Sequence, residues 1–100
     1  MLSVFEYPIS LPVEDFFSLT LPADAKILTV QAEDDRPQIF ALIDLGKQCK
    51  VRRRYFYVAR TGWDIREKND DLIYIGTFQL SDRAIGGAMT AHLFEVIRKK

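Results

Sequence analysis

The stretch KILTVQAEDDRPQIFALID, residues 26–44, indicates the fold class of this chain. Its first part, 26–32, alternates between two faces, and its last part, 38–44, is almost wholly apolar, as in a central strand. The polar residues 33–37 between them include Asp34, Asp35 and Pro37, which favour a turn. Two strands around a short polar turn predict a β-hairpin.

The flanking sequence repeats this pattern of short strands and turns. Residues 2–7 and 16–21 read as strands that stop at Pro8 and Pro22, and the aromatic-rich stretches 50–60 and 73–80 read as two more. Gly76 inside the last of these predicts a bulge or a close backbone approach. We therefore predict one all-β domain over residues 1–100, with about six or seven mainly antiparallel strands in a sandwich or a partly open barrel.

The C-terminal segment, 89–97, has two readings. Met89, Leu93, Val96 and Ile97 have helical spacing, whereas Thr90, His92, Phe94 and Val96 alternate as in a strand. Periodicity over so short an apolar run does not choose between a helix and a strand.

Composition limits the class of protein. The chain has 48% apolar and 12% aromatic residues, which argues against disorder, and 14 basic against 14 acidic residues, which gives no overall field for nucleic acid or membrane. No apolar run approaches the roughly 20 residues that span a bilayer, and no signal peptide is visible. The single cysteine, Cys49, excludes an internal disulfide, so the expected location is a reducing cytoplasm.

The charges are unevenly distributed. Residues 1–46 contain eight acidic and two basic residues, whereas residues 47–60 contain six basic residues and no acidic one. The basic residues are interleaved with aromatic ones in KVRRRYFYVARTGWDI, residues 50–65. We name the basic and aromatic positions of 50–63 the strip and take them as the candidate macromolecule-binding residues: Lys50, Arg52, Arg53, Arg54, Tyr55, Tyr57, Arg60 and Trp63.

The strip has a structural and a functional interpretation. In a strand, Arg53, Tyr55 and Tyr57 share one face, and Phe56 and Val58 share the other, which we expect to face the core. Tyrosines in strands are usually cross-strand packing partners, yet Arg, Tyr and Trp are also typical anchors of protein interfaces. The residues that we expect to be buried lie in the middle of apolar strands: Phe40, Leu42, Phe56, Val58, Phe78 and Leu93.

Residues suited to catalysis or metal binding are sparse. The single histidine, His92, and Cys49 do not make a zinc site, which normally takes four ligands. The pairs Asp34–Asp35 and Asp70–Asp71 lack the spacing of a calcium loop, and Gly86–Gly87 belongs to no phosphate-binding motif. We therefore predict a protein without catalytic activity, cofactor or metal.

Several short motifs carry a family resemblance. In order, they are YPI (7–9), LPADAKILTVQ (21–31), ALIDL (41–45), TGWDI (61–65), YIGTFQL (74–80) and HLFE (92–95). Together they resemble a family of small, uncharacterised β-rich proteins encoded largely by tailed phages and prophages. The resemblance implies a strand for 89–97 and a location in the cytoplasm of the bacterial host. It implies no activity.

These observations favour a small accessory protein that acts by binding a protein partner, with inhibition of a host or defence factor as one such role. Self-association is compatible with this reading, since the acidic residues of 1–46 can meet the arginines of the strip across a twofold axis. The alternative is a nucleic-acid-binding β module that uses residues 50–63. A small-molecule-binding or enzymatic β-barrel ranks last, because polar catalytic groups are missing.

Overall fold

The computed structural model describes residues 1–46, 50–81 and 88–97. Seven antiparallel strands form two sheets, which confirms the predicted all-β class. The strands are β1 (Leu2–Pro8), β2 (Phe16–Pro22), β3 (Lys26–Glu33), β4 (Arg36–Asp44), β5 (Val51–Arg60), β6 (Leu72–Leu80) and β7 (Met89–Val96). A single 3₁₀ turn, Asn69–Asp71, is the only helical element in the described ranges.

The strand order is β1-β4-β3 in a three-stranded sheet and β2-β5-β7-β6 in a four-stranded sheet. The two sheets face each other across one hydrophobic core to which both contribute. This is a sandwich-like arrangement and not a closed barrel, so the first of the two predicted architectures is the observed one.

The hairpin predicted over 26–44 is formed by β3 and β4, but its turn is shorter than expected. Only Asp34 and Asp35 lie outside the strands, with φ angles of 51° and 60°. A two-residue turn with positive φ at both positions matches the right-handed twist of the strands it joins, and aspartate tolerates that conformation. The strands therefore extend to Glu33 and from Arg36.

Residues 89–96 form a strand and not a helix. β7 lies between β5 and β6 in the four-stranded sheet, so both of its edges are paired. Met89, Ala91 and Leu93 face the core, while Val96 is buried on the other face of the sheet. Burial on both faces places apolar residues at consecutive positions, which explains the helix-like spacing.

The predicted core is right at four positions and wrong at two. Phe56, Val58, Phe78 and Leu93 are buried between the sheets, as expected. Phe40 and Leu42 are only half-buried. The residues of β4 that face the core are instead the odd-numbered ones, Pro37, Ile39, Ala41 and Ile43. The reason is that every residue of 38–43 except the first is apolar, so the sequence pattern does not identify the inward face.

Gly76 lies at a bulge, as predicted. The register of β6 against β7 shifts between Tyr74 and Gly76. A Cβ at Gly76 would lie 3.1 Å from Cγ1 of Val30 in β3, so the backbones of these two edge strands approach closely. The sandwich is thus tight along β3 and β6, and β1 and β2 form the other two sheet edges.

Candidate functional site

β5 distributes the strip over both faces of the four-stranded sheet. Arg54 shares the inward face with Phe56 and Val58, while Arg53, Tyr55 and Tyr57 point to the outer face. The alternation read from the sequence is therefore present. The consequence is that the eight predicted residues do not form one surface.

Arg54 is occupied inside the protein. Its Nε and Nη2 donate to the two carboxylate oxygens of Glu95 at 2.7 and 2.8 Å, and its Nη1 donates to the carbonyl oxygen of Ala25. The two side chains are only 10% and 9% exposed. Bidentate pairing of this kind is the strongest ion-pair geometry available to arginine. Arg54 thus joins β5 to β7 and to the turn before β3, and its guanidinium is not free to bind a partner.

An aromatic row crosses the outer face of the four-stranded sheet. The strand registers pair Phe16 with Tyr57, Tyr57 with Phe94, and Phe94 with Tyr74. Tyr74 meets Phe94 edge to face at 5.6 Å between ring centroids, and Phe16 stacks on Tyr55 at 5.7 Å. The outer members Phe16 and Tyr74 are exposed, whereas Tyr57 is buried. The row requires the registers of all four strands, so sequence reasoning identified only its β5 member.

The segment between β5 and β6 lies against Tyr57. The backbone N–H of Arg66 donates to the Tyr57 hydroxyl at 3.5 Å. An open cleft of about 690 Å³ separates parts of this segment from Tyr57 and is lined by Asp15, Tyr57, Gly62, Trp63, Asp64, Arg66 and Glu67. Tyr57 also belongs to a small packed cluster with Ala59 and Val96. This cluster therefore borders the cleft through Tyr57.

The exposed Trp63 and the partly buried Arg60 form a pair at the C-terminal end of β5. The Arg60 guanidinium lies 4.8 Å from the centroid of the Trp63 ring, within cation–π range. Trp63 is 61% exposed. Trp63 is held in a turn. Its backbone N–H donates to the Arg60 carbonyl at 3.0 Å, and Gly62 adopts a φ of 85°. Thr61–Trp63 thus form the turn that ends β5.

The opposite end of β5 is basic and exposed. Lys50, Arg52 and Arg53 are all exposed, and none of them forms an ion pair within the described ranges. Arg53 and Arg52 pair across the strands with the uncharged residues Thr20 and Leu21. These cations are therefore available to an external anionic group. A shallow cleft of about 420 Å³ opens beside them.

His92 belongs to a hydroxyl network on the same outer face. Its Nε2 lies 2.7 Å from Oγ1 of Thr61, and its Nδ1 lies 2.9 Å from Oγ1 of Thr77. Thr77 in turn bonds the hydroxyl of Tyr74 at 2.5 Å. Both ring nitrogens thus have hydroxyl partners, which suits a structural histidine. Sequence reasoning did not identify these partners, because they lie 31 and 15 residues away.

Metal binding finds no support in the described ranges. They contain no group of three or more His, Cys, Asp or Glu residues placed to hold a metal ion. The same ranges contain no helix that is long and apolar enough to cross a membrane. Cys49 and the pair Gly86–Gly87 lie outside the described residues.

The fold and the outer face define an all-β, sandwich-like domain with exposed aromatic and basic groups on its four-stranded sheet. The chain belongs to the family described as domain of unknown function (DUF7352), which matches residues 1–100. No curated protein and no solved structure matches it.

Proposed function

We propose that this protein is a non-enzymatic accessory protein that binds a protein partner through the outer face of its four-stranded sheet. The observation that carries the proposal is the combination, on and beside that face, of the exposed Trp63 with the partly buried Arg60 next to it, the exposed aromatics Phe16 and Tyr74, and Arg53, which forms no ion pair within the described ranges. Trp, Tyr and Arg are the residue types that contribute most to protein–protein binding.

The geometry of this face suits a partner larger than a small molecule. The aromatic row crosses four strands, which spans about 14 Å at the usual strand spacing. Arg53 and Arg60 lie at opposite ends of β5, about 23 Å apart along an extended strand. The clefts beside them are open and shallow. Binding would therefore depend on several separated anchors and not on one enclosed pocket.

Charge gives the partner an orientation. The Arg53 end carries Lys50 and Arg52 as well, whereas the cleft beside Trp63 is lined by Asp15, Asp64, Glu67 and the single cation Arg66. A complementary partner would present acidic groups to Arg53 and an apolar group to Trp63. Complementary charges of this kind favour fast and specific association.

The proposed setting is a bacterial cytoplasm during infection by a phage or in a cell that carries a prophage. The motifs YPI, TGWDI, YIGTFQL and HLFE support this origin through their resemblance to phage-encoded proteins. In that setting the partner would be a host or defence factor that the protein blocks by occupying its surface.

The test is affinity capture from a nuclease-treated bacterial lysate, with the wild-type protein and four variants as baits. Trp63→Ala and Arg53→Glu should each lose the captured partner. The matched controls Leu45→Ala and Arg36→Glu remove an exposed apolar group and reverse an exposed charge elsewhere, and should keep it. A partner that is retained by both site variants, or lost equally from the controls, would contradict the proposed surface.

A nucleic-acid-binding module is the second candidate, and the aromatic row is the observation that favours it. Exposed aromatic rings beside arginines can stack on bases of a single strand. The formal net charge of zero weighs against strong phosphate binding. A labelled single-stranded oligonucleotide decides between the two: phosphate binding should weaken steeply as salt rises, and Arg53→Glu should reduce the slope.

A further inference from the structure

β1 presents a free edge of the three-stranded sheet. Its only ladder partner in the described ranges is β4. The Met1 carbonyl accepts from Leu45 and the Ile9 N–H donates to Pro37, so the backbone groups of odd-numbered residues point towards β4. By the alternation of an antiparallel ladder, the N–H and C=O groups of Leu2, Val4 and Glu6 point away from it. These groups are a template for another strand.

The side chains along this edge are apolar where an edge strand is usually charged. Leu2 is 63% and Val4 is 54% exposed on the outer face of the sheet, and Phe5 is 41% exposed on the other face. Next to Val4 on the outer face lie the half-buried Leu42 and, one row further, Phe40. Proteins normally protect free edges with lysines, bulges or short strands, and β1 has seven regularly paired residues.

We propose that β1 pairs antiparallel with β1 of a second copy of this chain, so that two three-stranded sheets join into one of six strands. The twofold axis passes through the Val4 pair. Leu2 of each copy then lies opposite Glu6 of the other. All three pairs have outward-facing backbone groups, so each exchanges both of its N–H···O=C hydrogen bonds.

The sequence of β1 disfavours the registers that are centred nearer to its C-terminal end. A register centred on Glu6 would place two carboxylates directly opposite each other, which is unfavourable. Registers that bring Pro8 into the ladder leave a carbonyl opposite a nitrogen without hydrogen. Centring on Val4 avoids both, because the only charged residue of β1, Glu6, then faces an apolar leucine.

The same register completes the outer face. Val4 is the cross-strand neighbour of Leu42, which is the neighbour of Lys26. Pairing through Val4 therefore gives a row of four apolar side chains, Leu42 and Val4 from each copy, with a lysine at both ends. The row is the same from either copy and brings apolar side chains together at its centre, with the two lysines far apart at its ends, as a twofold interface allows. A second copy is for this reason a better occupant than an unrelated strand.

β2 provides an internal control. It is one of the two edge strands of the four-stranded sheet, and its outward-facing residues in the strand centre, Ser18 and Thr20, are polar. The backbone N–H of Val58 donates to the Asp15 carbonyl, and the backbone N–H of Ala23 donates to the Lys50 carbonyl. As in β1, the backbone groups of odd-numbered residues therefore point towards the neighbouring strand, and those of even-numbered residues point away from it. Both edges end in a proline at an outward-facing position. β2 has one exposed large apolar side chain, Phe16 at its first residue, whereas β1 has three, Leu2, Val4 and Phe5.

The test on the wild-type protein combines sedimentation velocity over a concentration series with amide hydrogen exchange by NMR. A monomer–dimer equilibrium should appear. With rising dimer fraction, exchange at Val4 and Glu6 should slow, exchange at Ser18 and Thr20 should stay fast, and Phe5 and Tyr7, bonded to β4, should be slow throughout. A protein that stays monomeric at the highest attainable concentration, or a dimer in which Val4 and Glu6 still exchange fast, would overturn the proposal.

A pair of variants tests the same dimer without hydrogen-exchange data. Val4→Lys places two like charges at the twofold axis and should abolish the dimer, while Thr20→Lys, an equivalent change on β2, should leave it intact. Dimerisation of Val4→Lys equal to that of the wild type would refute pairing through β1. Trp63→Ala and Arg53→Glu should dimerise normally, so failure here and failure of the partner surface on the other sheet are distinguishable.

Discussion

β4 and β5 look alike in sequence and differ in environment. Each is an inner strand of its sheet, with apolar residues at consecutive positions. Both faces of β5 are covered, because Phe56 and Val58 face the main core and Tyr57 and Ala59 belong to a second cluster on the outer face. Among the residues that the structure describes, only the inner face of β4 is fully covered. Its outer residues, Phe40 and Leu42, remain half-buried.

The difference shows what a run of consecutive apolar residues establishes. Such a run predicts that a strand has neighbours on both sides in the sheet. It does not predict that something packs on both faces, which depends on the segment that follows each strand. The segment after β5 lies against the outer face and includes Arg66, whose N–H reaches Tyr57. No element packs in this way over Phe40 within the described ranges, and a second copy joined at β1 would extend that apolar face.

Truncation of Phe56 should cause the largest loss of stability. It is fully buried and stacks on Phe17 at 5.4 Å between ring centroids. Phe56→Ala should lower the free energy of unfolding by about 3–5 kcal/mol, because it leaves a cavity in a packed core. Urea unfolding followed by circular dichroism measures the loss. A loss below about 1 kcal/mol would mean that β5 is not anchored between the sheets.

The next largest effect should come from Arg54. Arg54→Ala removes the partner of the buried Glu95 carboxylate and should cost about 3 kcal/mol of unfolding free energy. The adjacent Arg53→Ala removes an exposed arginine and should change stability by less than about 0.5 kcal/mol. The double variant Arg54→Met, Glu95→Leu should recover most of the loss, since an apolar pair needs no compensation. Equal losses at Arg53 and Arg54 would contradict the assignment of the two faces.

The sequence was sufficient for the strand pattern and insufficient for contacts between strands. All seven strands correspond to predicted segments, because alternation, prolines and turn residues are local signals. The bulge at Gly76 was also predictable, since glycine in a strand marks a close approach. The choice of strand over helix at 89–96 required the family resemblance.

The site was predictable only in part, because contacts between strands are not visible in the sequence. The basic and aromatic composition of β5 is visible in the sequence, and so is its division into two faces. Which face is buried, however, depends on register and on what lies opposite. Glu95 as the partner of Arg54, and Phe16, Phe94 and Tyr74 as neighbours of Tyr57, are set by pairings between residues far apart in the chain. Periodicity carries no information about such pairings.

Of the three core or near-core truncations, the one at Phe40 should cause the smallest loss of stability. Because its ring is half-buried on an uncovered face, Phe40→Ala should cost about 1–2 kcal/mol, well below the loss at Phe56. Measured at low protein concentration, this value reports the monomer alone. Phe40 lies beside Glu6 of its own chain, and in the proposed dimer that Glu6 faces Leu2 of the second copy. Truncation of Phe40 should therefore weaken the dimer as well. The apparent loss in unfolding free energy should then grow with protein concentration, since dimerisation adds to stability by mass action. A loss as large as that at Phe56, at every concentration, would show that another part of the chain covers the outer face of β4 and that the two strands are equivalent after all.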